Sequence, residues 1–378
     1  MILSETSIIR LFLTFVVAVI LTPFIRKLAF AVGAVDEPNK RRINKKTMPS
    51  MGGLSIYLTF ILSGFLIFRD VIPLALFSHL CIGSGIIIIT GVIDDIFELT
   101  PKQKMLGIIL ASCYIYFIAD IKMNQIQLVG IGLFKLPVWL SFIATILWIV
   151  IFTNSLNLID GLDGLASGVS IISLTTIGII ALFHFQGARS FIAIFIFMLA
   201  AAILGFLPFN FYPAKIYLGD TGALFLGFMI SVFALMGLKN ATLITYLTPF
   251  VILGVPIADT FSAIIRRKIK RKPISSADKR HLHHCLISLG FTHRGAVLII
   301  YGLSIFFSIT ALIYNYLDSW SVFALTIALL FCVELFVEMI GLIDAKYTPL
   351  LHIFKFIGNR AYRRKILGKV DKKVNTKK

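Results

Sequence analysis

Leu74-Ala-Leu-Phe-Ser-His-Leu-Cys-Ile-Gly-Ser-Gly-Ile-Ile-Ile-Ile-Thr-Gly91-Val-Ile93 runs without a formal charge, and Asp94-Asp95-Ile-Phe-Glu98-Leu-Thr-Pro101-Lys-Gln-Lys104 comes directly after it. An uncharged stretch of this length, coiled at about 1.5 Å per residue, reaches across the roughly 30 Å hydrocarbon core of a bilayer. Two adjacent carboxylates at the end of such a stretch repel each other and need a proton or a cation between them.

The rest of the chain repeats the apolar theme. Its 378 residues are 58% hydrophobic and 14% charged, whereas soluble domains are about 45–50% apolar. Apolar stretches near residues 7–25, 53–68, 74–93, 105–119, 137–153, 165–183, 190–207, 222–238, 243–264, 296–316 and 321–342 predict an all-α, polytopic integral membrane protein of about eleven transmembrane helices. The first stretch has no basic residues ahead of it and no small-residue cleavage site, so it reads as a retained anchor.

Positive charge sets the orientation, because cytoplasmic loops retain Lys and Arg. With the loop after the first span inside, 30 of the 36 Lys and Arg fall on the inner side, in residues 26–46, 102–104, 215, 266–294 and 346–378. The N-terminus is therefore expected outside and the C-terminus in the cytoplasm, with residues 1–343 forming the membrane domain and 344–378 a basic cytoplasmic tail.

The formal net charge of +18 lies in membrane-adjacent loops without interleaved aromatic residues, which points to anionic lipid headgroups and away from nucleic acid. Arg360–Lys378 is expected to rest on the inner leaflet. Cys81, Cys113 and Cys332 fall within spans and Cys285 in an inner loop, so no disulfide framework is expected. There is no Gly-x-x-x-x-Gly-Lys loop, and Gly130-Ile-Gly132 lacks the third glycine of a dinucleotide fingerprint.

Acids cluster on the expected inner face. Asp94 and Asp95 have a nearby point charge in Lys104, and paired carboxylates suit Mg²⁺ holding a phosphate; a plain acidic helix end is the alternative. Asn154, Asn157, Asp160 and Asp163 recur every third residue after the fifth span, which on a helix would make one polar wall; capping of the next helix is the simpler reading. Tyr217-Leu-Gly219-Asp220-Thr221-Gly222 opens the eighth span, where unpaired helix N–H groups attract phosphate. Asp220 can be a cap, a metal ligand or both, and Tyr217 a stacking ring or a packing residue. Asp278-Lys279-Arg280-His281-Leu-His283-His284 suits donation to phosphate oxygens better than ligation of a transition metal, because its basic neighbours oppose a cation.

In their order, these motifs resemble the polyprenyl-phosphate N-acetylhexosamine-1-phosphate transferases, glycosyltransferase family 4. The likeness spans residues 36–294 and includes the first inner loop, Asp36 to Arg42 and Pro49 to Gly53. The His-Leu-His-His form resembles the branch that uses UDP-N-acetylglucosamine; the branch that uses UDP-N-acetylmuramoyl-pentapeptide differs there. The resemblance implies a membrane enzyme that transfers a sugar 1-phosphate from a UDP-N-acetylhexosamine to undecaprenyl phosphate, releasing UMP, at the cytoplasmic face of the cell membrane. That is the first membrane step of a cell-envelope glycopolymer such as teichoic acid or O antigen.

It further implies Mg²⁺, with Mn²⁺ as an alternative, on Asp220 and Asn157. Asp163 and Tyr217 would meet the uridine, Asp160 the same substrate, and Lys104, His281, His283 and His284 the phosphates. Asp94, Asp95 and Asp220 are the candidate catalytic acids. A phosphate monoester loses its second proton near pH 6, so Asp94 and Asp95 are weighted towards positioning the lipid phosphate over removing a proton. Membrane lipids are expected partners, and a homodimer is compatible with all of this. The chain departs from the family pattern at Asn44, Ser50 and Cys285. The competing class is a secondary transporter of an anionic solute, suggested by Glu334 and Glu338, four residues apart inside the last span.

Overall fold

The computed structural model describes residues 5–37, 47–128, 132–184, 191–237, 243–273, 276, 278, 280–343, 348–360 and 362–364. It forms two compact units: Met1–Ile257 with Thr292–Ser319, and Ala258–Phe291 with Trp320–Lys378. The architecture is helical, as expected. Among the described residues the strands are two short antiparallel pairs, Val35–Asp36 with Met48–Pro49 and Gln125–Leu128 with Gly132–Lys135.

Eight described helices are long and apolar enough to cross a membrane: α1 (Glu5–Val32), α3 (Leu74–Phe97), α5 (Val138–Ile159), α6 (Leu165–His184), α7 (Phe191–Asn210), α8 (Gly219–Gly237), α12 (His293–Tyr314) and α13 (Ser319–Met339). The chain is thus a multi-pass membrane protein. The three other expected spans are shorter or broken. α2 (Gly52–Leu62) passes into a π turn at Ser63–Ile67, and α4 (Pro101–Phe117) has 17 residues. The ninth divides at Leu253 into α9 (Leu243–Ile252) and α10 (Gly254–Ile269); Pro256 has no N–H to return to the Ile252 carbonyl, which weakens the helix there.

The first unit is built around α8, whose residues Thr221–Met236 are all buried. α5, α3, α2, α6 and α7 surround it. Close approach is needed where α3 meets the start of α8: a Cβ on Gly91 would stand 2.4 Å from the Thr221 Cα, so only glycine fits. This contact brings the end of α3, with Asp94 and Asp95, against the N-terminus of α8.

The second unit contains the rest of α10, α11 (Leu282–Ser288), nearly all of α13 and α14 (Pro349–Gly358). Asp259, on α10, is buried and accepts from the Leu282 backbone N–H at 2.8 Å, while its other oxygen meets His281 Nδ1 at 2.8 Å. Arg266 is also buried, pairs with Asp278 at 2.6 Å and donates to the Leu342 carbonyl. The four cysteines are free thiols.

Candidate active site

Asp220 is the second residue of α8, where helix N–H groups lack intrahelical partners. The turn that precedes it requires Gly219: its φ is +71°, and a Cβ would lie 2.5 Å from Asp95 Oδ2. A strap from the first loop supports this turn, with Tyr217 N–H donating to the Pro49 carbonyl at 2.8 Å, and Gly52 and Gly53 N–H donating to the Tyr217 and Leu218 carbonyls at 2.9 and 3.0 Å.

The neighbouring acids Asp94 and Asp95 have different surroundings. Asp95 accepts from the backbone N–H groups of Asp220 at 3.0 Å and Thr221 at 3.2 Å, from the Thr221 hydroxyl at 2.5 Å and from the Ser50 hydroxyl at 3.0 Å. It is an N-terminal cap of α8 supplied by another helix. Asp94 Oδ1 accepts from the Leu99 N–H at 2.7 Å, which fixes the turn at the end of α3, and its Oδ2 meets Lys104 Nζ at 2.5 Å.

Lys104 also reaches Asp220 Oδ2 at 2.5 Å, so one ammonium bridges two carboxylates. Its position follows from a capping box that starts α4, in which Thr100 and Gln103 satisfy each other's backbone donors and Pro101 occupies the first turn. The Asn157 side-chain amide closes on Asp220 Oδ1 at 2.5 Å. Asp94, Lys104, Asn157 and Asp220 therefore form one contiguous cluster.

The four polar residues spaced by three do not form a single wall. α5 stops at Ile159, so the helical period ends there. Asn154 donates back to the Val150 carbonyl of its own helix. Asp160 lies at the helix end, where burial, followed by the charges of Asp220, Asp95 and Asp163, pushes its carboxyl well above the usual range. Asp163 turns to the 211–215 loop and accepts from the Ala214 N–H at 3.0 Å. Tyr217 is half-buried on the segment that leads into α8.

Sequence reading missed the groups that hold Asp163. Its backbone N–H donates to His293 Nε2 at 3.0 Å, the His293 ring stacks on Tyr212 with centroids 4.4 Å apart, and Arg294 donates to the Tyr212 carbonyl at 3.2 Å. The available signal was Thr292, which caps α12 by accepting from the Gly295 N–H; it locates His293 and Arg294 in a helical first turn but not what they touch.

His281, His283 and His284 belong to the second unit. His281 and His283 are buried, His281 is joined to Asp259, and the His283 and His284 ring centroids are 4.2 Å apart. Of the departures from the family pattern, Ser50 donates to Asp95, Cys285 is buried with its thiol pushed up chiefly by that burial, and Asn44 lies outside the described residues.

The cluster suits a hard divalent cation. Among the described residues no set of three or more His, Cys, Asp or Glu side chains is grouped to hold a metal by itself. Asp220, with the Asn157 amide oxygen after a flip of that group, offers the one or two oxygen ligands with which Mg²⁺ sits when substrate phosphates and water complete its octahedron.

The profile of Glycosyl transferase family 4 matches residues 77–238, the segment that carries all of this cluster. The chain is 39% identical over 363 residues, 94% of its length and 99% of the relative's, to a Bacillus subtilis (strain 168) protein named "Probable undecaprenyl-phosphate N-acetylglucosaminyl 1-phosphate transferase". The chain belongs to glycosyl transferase family 4. It is also 33% identical over 305 residues to the decaprenyl-phosphate N-acetylglucosaminephosphotransferase of Mycolicibacterium smegmatis (strain ATCC 700084 / mc(2)155), covering 74% of this chain and 75% of that one. A phospho-N-acetylmuramoyl-pentapeptide-transferase of Staphylococcus saprophyticus subsp. saprophyticus is 35% identical over 301 residues, covering 74% of this chain and 90% of that one.

Proposed function

We propose that this family member transfers N-acetylglucosamine 1-phosphate from UDP-N-acetylglucosamine to undecaprenyl phosphate, forming the lipid diphosphate sugar and UMP, with Mg²⁺ and at the cytoplasmic face of the cell membrane. The observation that carries the reading is Lys104 bridging Asp94 and Asp220 at the N-terminus of α8. An ammonium and an amide converge beside the Asp220 carboxylate, where a metal-bound diphosphate would gain most from them. The similarity to the Bacillus subtilis protein supports the choice of sugar and acceptor, and the excess of Lys and Arg on one side supports the face.

In this reading an oxygen of the lipid phosphate attacks the β-phosphorus, and the bond from that phosphorus to the oxygen bridging it to UMP breaks. Asp220 and Asn157 would hold Mg²⁺, which would supply charge neutralisation to the diphosphate. Lys104 passes from its two carboxylates to phosphate oxygens as these enter. Asp94 orients Lys104 and the incoming lipid phosphate. Asp95 positions the start of α8 and does not touch the reacting atoms. Asp163 and Tyr217 face the nucleoside, and Asp160 the same substrate. A two-step route through a phosphorylated Asp94 or Asp220 is the rival mechanism, and a sugar-phosphate adduct on the enzyme when the lipid acceptor is withheld would identify it.

The transporter alternative drew on Glu334 and Glu338. Glu338 accepts the backbone N–H groups of Leu350 and Leu351, each at 2.8 Å, so its carboxylate has a structural use. The test is purified protein with Mg²⁺, UDP-N-acetylglucosamine and undecaprenyl phosphate: UMP and a lipid of the matching mass are expected. Active-preparation controls with no UMP from any UDP-N-acetylhexosamine would overturn the reading.

A further inference from the structure

α14 is an apolar helix that cannot span a membrane. Its 10 residues extend about 15 Å, half the hydrocarbon thickness. Leu350, Ile353, Phe354 and Ile357 recur at the i, i+3, i+4, i+7 spacing of one helical face, while His352, Lys355 and Asn359 lie on the other. None of its residues is buried, and Ile353, Phe354 and Ile357 are 53%, 47% and 65% exposed.

Glu338 fixes where this helix starts. Glu338 sits in the last turn of α13, is 5% exposed, and caps α14 through the Leu350 and Leu351 N–H groups. The N-terminus of α14 is thus held level with the end of a membrane-length helix, which is the depth of the lipid headgroups. Charge identifies what meets it there. From residue 349 to residue 378 the sequence has ten Lys and Arg, beginning with Lys355, Arg360, Arg363 and Arg364, against one acid, Asp371.

We infer that α14 is an interfacial helix that docks on anionic phospholipid, its Leu350–Ile357 face entering the acyl boundary and its basic residues meeting headgroup phosphates, with Glu338 as the clamp that sets its depth. This extends the sequence expectation for residues 360–378 to a defined element and gives Glu338 a purpose separate from transfer chemistry.

The test is hydrogen exchange of amides 350–358 in the full-length protein, in nanodiscs of phosphatidylcholine alone or mixed with phosphatidylglycerol. Exchange should slow about tenfold in the anionic discs, and the joint variant Lys355→Gln, Arg360→Gln, Arg363→Gln and Arg364→Gln should remove that difference. Ile353→Ser with Ile357→Ser should speed exchange in both lipids. Equal wild-type rates in the two lipids would overturn the inference without reliance on any variant. So would slow exchange in both accompanied by a doubled protein mass, since a second copy would then cover the face.

Discussion

α8 and α14 each begin against a carboxylate sent from another helix, as does the short α11, whose Leu282 N–H meets Asp259 of α10. Asp95, on α3, accepts the Asp220 and Thr221 N–H groups at the start of α8, and Glu338, on α13, accepts those of Leu350 and Leu351 at the start of α14. Both use an anion to satisfy donors that the helix itself cannot. Their consequences differ because the first turns behind the two caps differ. The first turn of α8 carries Asp220 into reach of Lys104 and Asn157, and the helix behind it is buried. The first turn of α14 carries leucines, and the helix behind it is exposed. A borrowed cap places a helix; the residues in its first turn decide what that end presents, a polar cluster at α8 and an exposed apolar face at α14.

The sharpest break in this comparison is to take the chemistry from the first turn and leave the cap. Asp220→Asn and Lys104→Met should each lower turnover by about 10³-fold, the scale of losing a group that acts on developing charge, and Asp220→Asn should do so with a melting temperature in detergent close to wild type. Near-wild-type turnover in either variant would move the reaction away from this cluster.

The reverse experiment removes the cap and keeps the first turn. Asp95→Ala leaves two backbone donors and the Thr221 hydroxyl without their acceptor, a loss of about 1–3 kcal/mol per buried group left unsatisfied. Melting temperature and turnover should fall together, turnover by about 10²-fold, and Asp95→Asn, which keeps an acceptor oxygen, should recover part of both. An Asp95→Ala protein that melts like wild type but is inactive would place Asp95 among the reacting groups instead.

The same residues show how much of the fold and the site was legible in the sequence. The spans were readable because apolar runs of membrane length have few soluble explanations, and the eight long helices fall on eight of the eleven runs. The order of Asp94, Asp95, Lys104, Asn157 and Asp220 carried the family resemblance. Their division of labour was not readable: two adjacent identical carboxylates differ only through Leu99 and Lys104 on one side and Ser50, Asp220 and Thr221 on the other, and the partners of Asp95 are distant in sequence. The polar wall from Asn154 to Asp163 failed because periodicity cannot show that α5 stops at Ile159. Glu338 had no visible partner because its acceptor role is towards backbone N–H groups of a later helix.

A smaller effect is expected where the site is shaped from a distance. His293→Phe keeps the ring on Tyr212 and removes the acceptor for the Asp163 N–H. The loop should loosen, raising KM for the UDP-sugar about tenfold with kcat nearly unchanged, as for loss of uniform binding. His293→Gln, which restores an acceptor, should recover part of the loss. Equal falls in kcat and kcat/KM with KM unchanged would place His293 in the transition state.

The smallest effect concerns the negative charge that sets α8 apart from α14. Burial and the neighbouring Asp220, Asp95 and Asp163 raise the Asp160 carboxyl above its unfolded value, so the folded state favours the protonated form. Its contribution to stability is then complete below the ordinary carboxylate range and is lost as pH rises through the raised folded value. In chelator, the wild-type melting temperature should decline relative to Asp160→Asn across that rise, and the two should converge in acid. Adding Mg²⁺ should flatten the decline, because a cation on Asp220 offsets one of the charges that burden Asp160. The opposite slope, with wild type gaining on the variant as pH rises, would mean that Asp160 is held by a cation, and the carboxylate excess at the α8 cap would have to be revised.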